Sequence, residues 1–178
     1  MWAFLGSDCL FFGALIATYL IYRGKSLVGP YPHEVFNIPY TSISAFVLLM
    51  SSLTMVLALA AIQRGDQRGL KVWLLATALL GAVFVGGQYF EFTTFVNNGV
   101  SLTGNLFGST LYVLTGFHGA HVTIGVIILL SFFVVAMRGR LAPEQHLNIE
   151  LAGLYWHFVD VVWIVIFTVV YLLETPNI

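Results

Sequence analysis

The sequence predicts an all-α integral membrane protein, a bundle of five transmembrane helices. Of its 178 residues, 59% are hydrophobic and only 8% are charged, whereas soluble domains carry about 25% charged residues. The chain also contains five apolar runs, and about 20 apolar residues are enough to cross the hydrocarbon core of a bilayer. Because backbone polar groups must pair internally in lipid, each run should be a helix.

Composition also excludes several classes of function. The net charge of −1 leaves no basic surface for the phosphates of a nucleic acid. A single cysteine, Cys9, excludes an internal disulfide and a cysteine-clustered metal site, and we expect it to be a small buried packing residue. The predicted helices form one membrane domain over residues 1–178, at about residues 1–22, 40–62, 71–96, 108–137 and 147–173.

The first two runs differ in their polar content. The first carries Asp8 and lacks a basic leader, so we expect no cleavable signal peptide. The sequence leaves open whether residues precede Met1. The second run has no ionisable residue, and its small side chains, among them Ser51, Ser52 and Ala58, predict close helix packing without chemistry.

The third and fourth runs each contain ionisable side chains. Glu91 lies near the outer end of the third run. In the fourth run, His118 and His121 share a helix face, and Gly116 and Gly119 on or beside that face are candidates for helix packing or for the wall of a lipid cleft. Ionisable groups at membrane depth are costly unless they are paired or face protein, so these positions are candidate sites.

The fifth run contains the densest group of polar and aromatic side chains. His157 and Asp160 are three residues apart and can satisfy each other on one helix face. Trp156 and Trp163 lie along a nearby line and are candidates for packing or for lining a lipid cleft. We expect His157 and Asp160 to face other helices of this subunit and not lipid.

Two of the connections carry loop or turn signals. The first is predicted to be an extended loop with Pro30, Pro32 and Pro39, and the third opens with the turn signal Asn97-Asn98-Gly99.

The basic residues in the connections predict the orientation of the chain in the membrane. One side of the membrane receives five basic residues and the other side only Arg23 and Lys25. The positive-inside rule therefore predicts a cytoplasmic N-terminus and an external C-terminus. The five basic residues are Arg64, Arg68, Lys71, Arg138 and Arg140.

Metal and haem sites are not expected in this chain. His118 and His121 fall in the outer half of the membrane and His157 in the inner half, so a haem between matched imidazoles is disfavoured. Hydrogen bonds between helices are the favoured role of these side chains. A proton path through Asp8, Glu91 or His157 stays open. A small transporter or proton channel is a rival class, although all five prolines fall outside the helix interiors.

Four motifs resemble subunit III of the haem-copper terminal oxidases, the cytochrome c oxidase and quinol oxidase subunit III family. They are Trp2-Ala3-Phe4-Leu5-Gly6-Ser7-Asp8-Cys9-Leu10-Phe11-Phe12, Gln88-Tyr89-Phe90-Glu91-Phe92, Phe117-His118-Gly119-Ala120-His121-Val122 and Tyr155-Trp156-His157-Phe158-Val159-Asp160-Val161-Val162-Trp163. They occur in four of the five predicted helices, and the resemblance covers essentially the whole chain.

The resemblance implies a non-redox accessory subunit without a catalytic centre. Such subunits pack on subunit I, hold phospholipid in a cleft, and sustain proton uptake and oxygen supply. It implies that Asp8 and Glu91 are the family carboxylates, with Asp8 where many members carry Glu. His118, His121, His157 and Asp160 match motif positions. Longer members have two further helices ahead of these five, so we expect one wall of the cleft to be absent or supplied by another subunit.

The resemblance also implies the partners and the location. Haem and copper are expected in the partner subunits of an oxygen-reducing, proton-pumping complex, with subunit I in direct contact, subunit II, and a small subunit IV as a further candidate. The location is expected to be the bacterial cytoplasmic membrane. The electron donor is left open by the sequence; cytochrome c is favoured on the breadth of the family, and quinol is the alternative.

Overall fold

The chain is an all-helical bundle in the computed structural model, which describes residues 1–23, 25, 37–100, 102–103 and 106–173. Within these residues there is no strand, and five helical stretches are long and apolar enough to cross a membrane. The predicted fold class is therefore confirmed. The helices are α1 (Trp2–Tyr22), α2 (Ile38–Gln63), α3 (Gln67–Asn97), α4 (Leu106–Met137) and α5 (His146–Ile166); a 3₁₀ turn (Pro143–Gln145) precedes α5, and a π-helical segment (Phe167–Leu172) continues it.

Side-chain caps explain why two helices begin earlier than the apolar runs. The Asn37 side chain accepts a hydrogen bond from the Tyr40 amide at 3.3 Å, so α2 begins at Ile38. Asp66 accepts from the amides of Arg68 and Gly69 at 3.1 and 2.9 Å, so α3 begins at Gln67. Both caps satisfy amides that have no partner within the first turn of a helix.

Glycines with positive φ follow three of the helices, α2, α3 and α4, and the third of them is Gly139 with φ of +66°. Gly65 follows α2 with φ of +74°, and Gly99 follows α3 with φ of +81°, in the left-handed region that glycine occupies at little cost. The amide of Val100 returns to the carbonyl of Phe95 at 3.0 Å, as in a Schellman cap. The turn predicted at Asn97-Asn98-Gly99 is therefore confirmed, whereas Pro30 and Pro32 of the predicted first loop lie outside the described residues.

Helix α5 lies at the centre of the bundle. It packs against α2, α4 and α1, while α3 packs against α2 and α4. Half of the residues in its most apolar segment are buried, against 17% for α1. Helix α1 is thus an edge helix that packs mainly on α4, and most of its surface faces outward.

The edge position of α1 corrects one expectation. Cys9 was expected to be a buried packing residue, but its side chain is exposed. Only Leu5, Phe12 and Tyr19 of α1 are buried, and Cys9 lies off the line that they form. At its C-terminal end α1 is joined to the end of the π-helical segment, because the Arg23 guanidinium donates to the carbonyl of Leu173.

Trp156 of α5 is the side chain around which three other helices meet. Its indole N–H donates to Ser51 Oγ of α2 at 2.9 Å. A Cβ atom at Gly125 of α4 would lie 2.8 Å from the indole, and a Cβ atom at Gly81 of α3 would lie 2.9 Å from its Cζ2 atom. Because real Cβ contacts are longer, only glycine allows α3 and α4 to approach the ring this closely.

Candidate functional site

The polar side chains of the bundle form three clusters and one isolated site. The first cluster joins Asp8 of α1 to His121 of α4. The second joins Ser52 of α2 to His157 and Asp160 of α5, and the third surrounds Glu91 of α3. His118 of α4 stands alone among aromatic rings. No group of three or more His, Cys, Asp or Glu side chains in the described part of the chain could hold a metal ion.

Asp8 of α1 and His121 of α4 face each other across the two helices. Asp8 Oδ2 lies 3.5 Å from His121 Nε2, and both side chains are largely covered, with 13% and 17% exposed. His121 Nδ1 lies 2.7 Å from the carbonyl oxygen of Phe117, and a carbonyl can only accept, so Nδ1 carries a hydrogen. Nε2 of a neutral ring therefore presents a lone pair to the carboxyl group. At 3.5 Å the two atoms are beyond ordinary hydrogen-bond distance, and Asp8 Oδ2 has no hydrogen-bond partner among the described residues.

A large apolar groove lies beside this pair, between α1, α4 and α5. Its volume is about 620 Å³, within the range of about 300–1,000 Å³ that is common for ligand pockets. The polar groups on its wall are His121, Tyr155 and Asn148, and the Tyr155 hydroxyl donates to the carbonyl of His121 at 2.9 Å. The apolar lining comes from Met1, Phe4, Ile124, Ile128, Phe132, Leu151 and Ala152.

The second cluster corrects the direct pairing expected for His157 and Asp160. Ser52 Oγ donates to Asp160 Oδ2 at 2.6 Å and lies 3.0 Å from His157 Nδ1. The serine hydroxyl therefore bridges the two groups. Asp160 is 4% exposed, whereas His157 is half-buried. The close packing expected for the small side chains of α2 thus includes, at Ser52, hydrogen bonds to another helix, because a hydroxyl is small and can still bond across helices.

The third cluster holds Glu91 near the C-terminal end of α3. The Thr41 hydroxyl of α2 donates to Glu91 Oε1 at 2.7 Å, and the Tyr171 hydroxyl, from the π-helical segment, also hydrogen-bonds this carboxyl group. Glu91 is 7% exposed and Tyr171 is 1% exposed. Burying a carboxyl group is costly unless its oxygens are hydrogen-bonded, and these two hydroxyls meet that need.

His118 corrects the expectation that each histidine bonds between helices. Its ring is fully buried and stacks on Trp163 at a centroid distance of 4.9 Å, with Phe84 and Phe12 edge-on at 6.0 and 6.4 Å. Neither ring nitrogen has a hydrogen-bond partner among the described residues. The residue contributes ring packing, and Trp163 lies at its side as a packing partner.

The two glycines singled out on α4 have different surroundings. A Cβ atom at Gly119 would lie 2.6 Å from Gln88 Oε1, so α3 and α4 approach closely there. The Gln88 amide then donates to the carbonyl of Thr115 at 3.1 Å. Gly116 has nothing within 4 Å of such an atom and instead lines a shallow outward-facing groove with Phe117 and Ala120.

Comparison with known proteins decides the family. The family model described as Cytochrome c oxidase subunit III matches residues 1–175. The chain belongs to the cytochrome c oxidase subunit III family. It is therefore an integral membrane subunit of a multi-subunit haem-copper oxidase, as the four sequence motifs predicted.

The relatives of this subunit III carry the names of both oxidase types. Quinol oxidase subunit 3 of Bacillus subtilis (strain 168) is 40% identical over 97% of this chain and 84% of the relative. Cytochrome c oxidase subunit 3 of Bacillus sp. (strain PS3) is 39% identical over 97% of this chain and 83% of the relative. Cytochrome bo(3) ubiquinol oxidase subunit 3 of Pseudomonas putida is 35% identical over 97% and 83%.

Sequence reasoning missed the hydroxyl residues that complete the site of this subunit III. Ser52, Thr41, Tyr155 and Tyr171 each bond a predicted site residue or its backbone. The available signal was a polar hydroxyl inside an apolar run. That signal is weak, because hydroxyls in helices commonly bond a carbonyl of their own preceding turn.

Proposed function

We propose that the chain is a non-redox accessory subunit that packs directly on subunit I of its oxidase, binds phospholipid, and sustains proton uptake and oxygen supply during turnover. Haem and copper belong to the partner subunits in this proposal, which include subunit II and a small subunit IV. The observation that carries it is the Asp8–His121 contact beside the large apolar groove.

Proton handling follows from the chemistry of that contact. Nδ1 of His121 keeps its hydrogen on the Phe117 carbonyl, so a single proton between Nε2 and Asp8 makes the contact favourable. Exchange of this proton requires the carboxyl group and the imidazole to approach from 3.5 Å to within hydrogen-bond distance. On the flank of subunit I, such a pair would act as a local proton store for uptake.

Phospholipid is the ligand that fits the large groove. Its lining, from α1, α4 and α5, is almost entirely apolar, as acyl chains require. The Asn148 side chain lies on this wall near the start of α5 and offers hydrogen bonds to a head group, whereas the Tyr155 hydroxyl already donates to the carbonyl of His121. A lipid held there would fill the surface between this chain and subunit I.

Orientation and location complete the proposal. The excess of basic residues on one side supports a cytoplasmic N-terminus and an external C-terminus. The bacterial relatives support residence in the bacterial cytoplasmic membrane. In a Cys9→Ala background, a cysteine introduced for Arg140 should react with a membrane-impermeant maleimide only from the cytoplasmic side. Labelling of intact cells from outside would contradict this orientation.

The electron donor has two candidates, cytochrome c and quinol, since relatives of both oxidase types match this chain to a similar extent. We retain cytochrome c as the first candidate on the breadth of the family. Oxygen consumption by the purified complex with reduced cytochrome c, and separately with a quinol, distinguishes them.

The variant Asp8→Asn tests the proton-handling role. The amide keeps the size of the side chain and can donate to His121 Nε2, but it cannot exchange a proton. We expect a normal haem spectrum and normal initial oxygen consumption, followed by faster loss of activity over repeated turnovers. Glu144→Gln, in the exposed turn before α5, is the matched control. Equal turnover lifetimes for the two variants would contradict the role.

A proton channel is the rival class, and its test is independent. The purified chain in liposomes should conduct no protons under an imposed pH gradient. Proton flux that Asp8→Asn abolishes would favour the channel instead.

A further inference from the structure

The ring nitrogen His157 Nε2 is left available by the Ser52–Asp160 bridge. Ser52 has a single hydroxyl hydrogen, which it donates to Asp160 Oδ2 at 2.6 Å. Its contact with His157 Nδ1 at 3.0 Å is then a hydrogen bond only if Nδ1 donates to Ser52 Oγ. The hydrogen of a neutral ring is thereby fixed on Nδ1, and Nε2 presents a lone pair that accepts hydrogen bonds.

His157 lines a second groove, between α1 and α5, which is distinct from the lipid groove. The second groove has a volume of about 450 Å³. His157 Nε2 has no hydrogen-bond partner among the described residues, and it is not closed off from the surface as Asp160 Oδ1 is. The remaining lining is apolar except for the thiol of Cys9. It includes Trp2, Leu5, Cys9, Leu154, Phe158 and Val161.

Depth restricts what can occupy this groove. His157 lies seven residues beyond Glu150, the nearest charged residue before it on α5, which is about 10 Å along a helix. A phospholipid head group would have to leave the interface and lose its hydration to reach Nε2, which is costly for a charged group. The occupant should therefore be an uncharged molecule that dissolves in the hydrocarbon core and carries a hydroxyl donor.

Ring packing narrows the choice further. The indole of Trp2 and the phenyl ring of Phe158 both line the groove, and aromatic side chains pack well against a flat ring. A membrane-resident quinol combines such a ring with hydroxyl donors and an apolar isoprenoid tail. We propose that the α1–α5 groove binds the ring of a quinol, whose hydroxyl group donates a hydrogen bond to His157 Nε2.

Photolabelling of the intact oxidase complex tests this site. The probe is a quinol whose first isoprene unit carries a diazirine, applied without oxygen so that it stays reduced, and labelled peptides are identified by mass spectrometry. We expect label in α1 and in residues 154–161 of this chain. Unlabelled quinol should compete, and phosphatidylglycerol should not. The oxidised probe should bind at least about fivefold more weakly, because its carbonyls cannot donate to Nε2.

Two substitutions of one residue separate binding from folding. His157→Asn keeps an amide donor for Ser52 at the position of Nδ1 but removes Nε2. Half-saturation of labelling should therefore need about fivefold more probe, which corresponds to a loss of about 1 kcal/mol in binding free energy. His157→Gln keeps a polar group near Nε2 and should retain more binding than His157→Asn. His146→Asn, at the exposed start of α5, should label like the wild-type chain.

Several results would overturn the proposal. They are equal labelling of the wild-type chain and His157→Asn, label confined to other subunits, competition by phosphatidylglycerol equal to that by quinol, and equal labelling by the oxidised probe. The site does not depend on the electron donor of the assembled oxidase, so reduction by cytochrome c alone would leave it intact.

Discussion

Replacing Gly81 by alanine should destabilise the bundle, although alanine is the better helix former. The added Cβ atom would meet the Trp156 indole and lie 2.9 Å from Val126 Cγ2. The indole cannot retreat, because Gly125 of α4 contacts its other edge and Ser51 holds its N–H. Overpacking of this kind costs about 1–3 kcal/mol.

Gly86→Ala, five residues along the same helix, is the matched control. A Cβ atom there meets nothing within 4 Å, so only the helix propensity changes, by about 1 kcal/mol in favour of alanine. That gain is common to both variants, so the free energy of unfolding should be about 1–3 kcal/mol lower for Gly81→Ala than for Gly86→Ala.

The assay is unfolding of the purified chain in mixed micelles by titration with SDS, followed by circular dichroism. Trp156→Phe in the Gly81→Ala background should recover part of the loss, because the smaller ring leaves room for the new Cβ atom. Equal stability of Gly81→Ala and Gly86→Ala would refute the packing of Trp156 described above.

Three further predictions concern the polar clusters. Ser52→Ala should lower the free energy of unfolding by about 1–3 kcal/mol, because Asp160 and His157 lose the hydroxyl that bridges them. The same SDS titration of the purified chain measures this loss, and an unchanged midpoint would contradict the bridge. Asp160→Asn should lower the amount of assembled oxidase more than its turnover number, as measured by haem content and oxygen consumption, whereas normal assembly with lost turnover would indicate proton handling. Thr41→Val should lower the free energy of unfolding by about 1–3 kcal/mol in the wild-type chain but by little in a Glu91→Leu background. Equal losses in the two backgrounds, measured by the same titration, would contradict the Thr41–Glu91 hydrogen bond.

The sequence predicted the five helices because bilayer thickness sets a length that apolar runs either reach or do not. It also identified the ionisable residues at membrane depth, since these are rare in such runs. Their pairing was harder to predict. Thr41 and Glu91 are 50 residues apart, and Ser52 and Asp160 are 108 apart. The register that joins them is set by helix packing, of which a single sequence carries no direct record.

The face that each helix turns to its neighbours was the other weak point. Apolar residues surround α1 on all sides, because one side meets protein and the other meets lipid, and both are apolar environments. The position of Cys9 could therefore not be predicted from periodicity. His118 was also misjudged, since an imidazole in an aromatic environment can contribute stacking without a hydrogen bond.

The most direct test of the proposed function is to delete or strip this chain from its oxidase and follow the haem spectrum and oxygen consumption together over time. We predict an unchanged haem spectrum and a normal initial rate of oxygen reduction. Activity should then decline over successive turnovers as proton delivery slows and bound lipid is lost. Immediate loss of the haem signal would show that the chain helps to build the redox centre and would contradict its role as a non-redox accessory subunit.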